Sequence, residues 1–147
     1  MSLNRSNPVE RGLAPAARFA PHMLSVLRIM TGLLIMQHGL QKLLGFPSTP
    51  ASGMPALVSL MGLAGVLELF GGILIVLGLF TRPTAFVLAG FTAVAYFMAH
   101  ASRNFFPVVN GGELAILFCF VFLYLVTAGP GAWSLDARLR GGWRSRY

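Results

Sequence analysis

Residues 56–80 read ALVSLMGLAGVLELFGGILIVLGLF, and one ionisable side chain, Glu68, interrupts them. At 1.5 Å per residue a helix of ~20 residues crosses the ~30 Å hydrocarbon core of a bilayer. A run this long, apolar on every face, has no use for a water-exposed side, so it reads as a membrane-spanning helix. Three more runs flank it: Met23–Leu44 with Arg28, His38 and Lys42, Thr84–Ser102 with His100, and Val108–Ala128 with Glu113 near its start.

Composition points the same way. Apolar residues make up 56% of the 147 and charged residues 10%, against about 25% charged in an ordinary soluble domain. Too few charges remain to coat a soluble globule, and too much apolar surface needs burial for disorder. The fold class is therefore all-α: an integral membrane four-helix bundle, with helices over about 23–44, 56–80, 84–102 and 108–128. A basic arm over 1–21 precedes it and a basic, amphipathic tail over 130–147 follows. No small-x-small cleavage site follows the first apolar run, which ends in HGLQKLLGF, so that run is read as retained rather than as a signal peptide.

Punctuation sets the expected boundaries. Pro47, Pro50 and Pro55 with Gly45, Ser48 and Gly53 mark a loop of about eleven residues. Thr81-Arg82-Pro83 reads as the tight turn between the second and third helices. Asn110-Gly-Gly-Glu113 resembles a capping box, and Gly129-Pro130-Gly131 stops the fourth helix. Ser134 reads as an N-cap for the tail, with Trp133 and Trp143 as interface anchors.

The net charge of +7 reflects a scarcity of acids. The arginines are not interleaved with aromatics in any soluble segment, which excludes nucleic acid as a partner. Eight arginines (5, 11, 18, 82, 138, 140, 144 and 146) fall on the side of the two termini, and Lys42 and Arg103 on the other. The positive-inside rule then puts both termini in the cytoplasm and attracts the tail to lipid headgroups. Cys119, the single cysteine, reads as a small buried hydrophobe.

Most polar residues of the helices gather in the outer half of the bilayer. Arg28, Thr31, Ile35, His38 and Lys42 recur at intervals of three and four, on one helix face, and polar groups facing lipid are expensive. Gly65, Gly71 and Gly72 leave a small-residue surface around Glu68, so another helix or a flat ligand approaches closely. Helical side chains lean toward the N-terminus. Arg28 then snorkels to the cytoplasmic face, while His38 and Glu68 lean toward each other. A Glu68–His38 hydrogen bond is the expectation, in preference to Glu68–Arg28. A carboxyl and an imidazole in contact pass protons, which suits a quinone whose carbonyls accept hydrogen bonds and whose tail stays in lipid. Glu68 and His38 are the candidate catalytic pair, and Gln41, Lys42, His100 and Glu113 the candidate cofactor-binding set. No metal site is read: His38, His100, Glu68 and Glu113 have suitable ligand types for a metal or haem, but no HxxxH or ExxH spacing. Phe118, Phe120 and Phe122 read as packing or lipid-facing residues. The competing reading is a clasp that holds four helices in register.

Four motifs in order, HGLQKLLGF (38–46), ELFGGILIVLGLFTRP (68–83), NGGELAILF (110–118) and GPGAWSLD (129–136), resemble the DoxX family of small bacterial membrane proteins across about residues 23–136. The resemblance implies a multi-pass, four-helix inner-membrane protein associated with membrane redox and oxidative-stress systems, and the family pattern maps onto His38, Gln41, Lys42, Glu68 and Glu113. The proton chemistry read from Glu68 and His38, taken with that redox association, leads to a quinone-interacting subunit of a membrane oxidoreductase; the resemblance by itself delivers no reaction. No flavin, NAD or iron–sulfur signature is present, so electrons would pass through a partner, such as a soluble redox subunit on either face, or come from a small reductant. Membrane lipid is the implied partner, and a homo-oligomer is compatible. The alternative is a non-catalytic scaffold or assembly factor. A transporter or proton channel fits the chain's size only as an oligomer.

Overall fold

The computed structural model describes residues 17–50 and 53–144, with side chains through residue 139. The expected arm with Arg5 and Arg11, and Arg146 of the tail, lie outside the described residues, as do the side chains of Arg140, Trp143 and Arg144. The described chain is helical, with no strand among its residues. Helix α1 spans Ala20–Leu44, α2 Leu60–Leu77 and α3 Thr81–Tyr96, the last continued by a π-turn over Phe97–Ala101. A single turn, α4 (Pro107–Asn110), leads into α5 (Glu113–Ala128), and α6 (Leu135–Arg144) closes the chain.

Helices α1, α2 and α3 with its π-turn are long and apolar enough to cross a membrane. Helix α5 is apolar but has 16 residues, about 24 Å. The start of the fourth apolar run belongs elsewhere: Gly111, at φ 70°, breaks α4 from α5. Asn110 is not the cap of a capping box. Gly112 holds the N-cap position, and the Asn110 carboxamide folds back to accept from the Gly112 N–H at 2.7 Å.

Two other boundaries move. Ser59 caps α2, its hydroxyl accepting from the Gly62 N–H at 3.1 Å, so the helix starts at Leu60 and the preceding loop is longer than expected. The turn before α3 is Gly78-Leu79-Phe80, with Gly78 and Phe80 both left-handed. Thr81-Arg82-Pro83 is already the first turn of α3. Proline lacks the N–H that a first turn leaves unused, so Pro83 marks a helix beginning here. Gly129 stops α5, and Ser134 caps α6 by accepting from the Ala137 N–H, both as the sequence implies.

The tight helix pairs are α1 with α2 and α3 with α5. The core is thin: Ile35, Ile75, Leu88, Phe118, Phe122 and Leu125 are its large buried members. Leu63, Phe70, Phe86 and Phe120 face outward. A surface this apolar is at home in lipid. Glycine lets α1 and α2 touch. A Cβ on Gly39 would lie 2.4 Å from the Leu69 nitrogen, and one on Gly72 2.8 Å from Met36 Cβ.

Candidate functional site

The shared face of α1 is real: Arg28, Thr31 and Ile35 are buried, and His38 and Lys42 are half-buried. Helices α1 and α2 run antiparallel, and the Gly39 contact with Leu69 places Glu68 near the level of residue 39. Glu68 is also near the middle of α2, 5% exposed.

Its partner is Lys42. The ammonium nitrogen donates to Glu68 Oε1 at 2.5 Å and Oε2 at 2.6 Å. The expected Glu68–His38 hydrogen bond is therefore replaced. A long stem tilted toward the α1 N-terminus brings the lysine charge back onto the carboxylate, and a cation offsets that charge in a low-dielectric site better than a neutral ring does. Gly65 makes the approach easier, since a Cβ there would lie 3.0 Å from Lys42 Cβ. The Lys42 side chain is 19% exposed, that of Glu68 7%.

His38 turns toward α5. Its ring stands edge-on to Phe118 with centroids 6.2 Å apart, and Phe118 stacks on Phe122. Among the described residues neither nitrogen of His38 has a protein hydrogen bond. Gln41 reaches the Ser48 hydroxyl at 3.4 Å, on the exposed loop side.

His100 and Glu113 do not bond to this group. His100 lies in the π-turn, its Nδ1 3.0 Å from the Asn110 carbonyl and its ring stacked on Tyr96. Asn110 also donates to the Asn104 carbonyl, so this is a self-contained knot at the end of α3. Glu113 opens α5, exposed, where a carboxylate suits the helix dipole. Among the described residues no three of His, Cys, Asp and Glu converge as a metal cluster would require.

Arg28 departs furthest from expectation. It does not snorkel; it is 0% exposed. Nε donates to the Pro130 carbonyl at 2.7 Å and one terminal nitrogen to the Val76 carbonyl at 2.6 Å. The guanidinium also donates to the carbonyls of Ile75 and Trp133. It thus caps the end of α2 and ties down the segment before α6. Arg82 does the same for α5, donating to the Val126 and Thr127 carbonyls. The direction of lean forecast for Arg28 holds, but orphan carbonyls at a helix C-terminus provide a better destination than water. No local sequence pattern signals this role, because Arg28 and the two helix stops meet only through the topology.

Apolar helices of spanning length around a buried ion pair define a multi-pass membrane protein. The DoxX family model matches residues 23–101. The chain belongs to the DoxX family. It is 45% identical over 123 residues to an uncharacterized protein of Haemophilus influenzae, covering 81% of this chain and 92% of that one. It is 35% identical over 124 residues to the inner membrane protein YqjF of Escherichia coli, covering 80% and 92%. It is 33% identical over 144 residues to an uncharacterized membrane protein of Mycobacterium tuberculosis, covering 81% and 82%. No solved structure matches the chain. With relatives named as inner membrane proteins, the chain is placed in the inner membrane.

Proposed function

We propose that the protein binds a quinone in the membrane, between α1, α2 and α5, as a subunit of an oxidoreductase or oxidative-stress complex. The supporting observation is the environment of His38. Its ring nitrogens have no protein hydrogen bond among the described residues, and one helical turn along α1 Lys42 carries an N–H beyond the two donated to Glu68. A quinone supplies two carbonyl oxygens that accept hydrogen bonds and that take up protons with electrons on reduction. Lys42 and His38 supply donors for such an oxygen. When Lys42 turns to a ligand, Glu68 Oε1 and Oε2 are released to hold a proton. Gln41 adds a donor on the loop side, and His100 and Glu113 line the same end of the bundle without reaching the pair. Electrons are supplied or collected by a partner subunit. Four crossings, with both termini cytoplasmic, complete this reading, and the arginine asymmetry supports it.

Titration of a short-chain benzoquinone into the protein in phosphatidylcholine nanodiscs tests the proposal. His38→Phe keeps an aromatic ring against Phe118 and removes both nitrogens. Affinity should fall at least about tenfold, or ~1.4 kcal/mol, with an unchanged melting temperature. Equal affinity would overturn the quinone reading. A specific observation favours the clasp as the second reading: Lys42 engages both oxygens of Glu68. That reading expects no quinone binding in either protein.

A further inference from the structure

The end of the bundle where α2 stops and α3 begins carries a built surface that the quinone site does not use. We propose that α6 is a fixed foot that binds an anionic phospholipid surface, and that Asp136 and Arg28 transmit this binding to the helix bundle.

Helix α6 is held in a set orientation. The Asp136 carboxylate accepts from the Phe80 and Thr81 N–H groups, each at 2.9 Å. It thereby caps α3 from a distance of more than fifty residues in sequence. The Asp136 N–H donates to the Gly78 carbonyl, and Arg28 holds the Trp133 carbonyl. These contacts engage the one acid of α6 with the bundle, and the remaining charge of the segment is positive: Arg138 is exposed, and the sequence adds Arg140, Arg144 and Arg146.

Apolar groups accompany these charges. Leu135 and Leu139, four residues apart and so on one helix face, are exposed, as are Trp133, Phe80 and Phe19. Arg18 stands 4.8 Å over the Phe19 ring. A basic helix with an uncovered apolar stripe, beside the ends of spanning helices, suits the headgroup level of a bilayer. Charge complementarity selects an anionic surface, and each basic residue near it strengthens binding about fivefold.

The melting temperature of the full chain in nanodiscs reads this out, with phosphatidylcholine alone compared to phosphatidylcholine mixed with phosphatidylglycerol. The anionic lipid should raise the melting temperature of the wild type by several degrees, and high salt should erase the rise. Arg138→Glu should lose at least half of it, whereas Arg103→Glu at the other end of the bundle should keep it. In Asp136→Asn, native mass spectrometry should still find bound phosphatidylglycerol while the rise disappears. Equal melting temperatures in the two lipids would overturn the proposal, and that is also the outcome if α6 serves an acidic soluble protein. An equal loss in Arg103→Glu would reduce the effect to net charge. A rise that survives in Asp136→Asn would refute the transmission.

Discussion

Helix α1 carries two basic residues on one face, and the bundle treats them in opposite ways. Arg28 is fully enclosed and donates to four backbone carbonyls. Lys42, four turns further along, is partly open and donates to one side chain. Carbonyls at a helix end cannot move without unwinding the helix, so the Arg28 contacts hold structure. A carboxylate on a side chain can turn or take a proton, which is why the Lys42–Glu68 contact is the one we propose a ligand displaces. The difference separates a lock from the proposed ligand site within one stripe of residues.

The largest predicted effect falls on the lock. Arg28→Met strands the carbonyls of Ile75, Val76, Pro130 and Trp133, at about 1–3 kcal/mol for each one left buried. Thermal unfolding in nanodiscs should show a loss of at least ~4 kcal/mol, and Arg28→Lys should recover little because an ammonium lacks the planar fork. A melting temperature near wild type for Arg28→Met would break the comparison at its first term.

Lys42→Met should cost less, about 3 kcal/mol, since an abandoned carboxylate has an escape that carbonyls lack: it takes up a proton and becomes neutral. Equal losses for Arg28→Met and Lys42→Met in the same unfolding series would remove the distinction. Gly39→Ala comes next, at about 1–3 kcal/mol, because its methyl group would press on the Leu69 backbone. A crosslink between α1 and α2 near Gly65 should form more slowly in this variant. Ser134→Ala is the smallest, about 1 kcal/mol for a lost N-cap, read as faster hydrogen exchange at Ala137.

The apolar runs, the α1 stripe and the small-residue surface of α2 were legible because lipid imposes simple constraints on length and polarity. The position of Glu68 against α1 was legible too, from its depth and from the lean of helical side chains. Its partner was not. The choice lay between His38 and Arg28 and rested on backbone level and lean, whereas a lysine stem spans a turn of helix and brings Lys42 onto the carboxylate. The role of Arg28 was hidden for another reason: its acceptors come from residues 75, 76, 130 and 133, and the carbonyls left free at helix ends are known only once the helices are placed. Asp136 read as part of an amphipathic tail, yet it caps α3, a contact between two segments that no local pattern links.

The double variant Lys42→Met/Glu68→Met examines the claim that this pair is a ligand site with little share in holding the fold. A buried ion pair replaced by apolar side chains of similar volume is often neutral for stability. Short-chain benzoquinone binding to this variant, in the same nanodiscs and beside its melting curve, is the decisive measurement. The expected result is a melting temperature close to wild type with binding lost. A folded double variant that binds the quinone as the wild type does would contradict it.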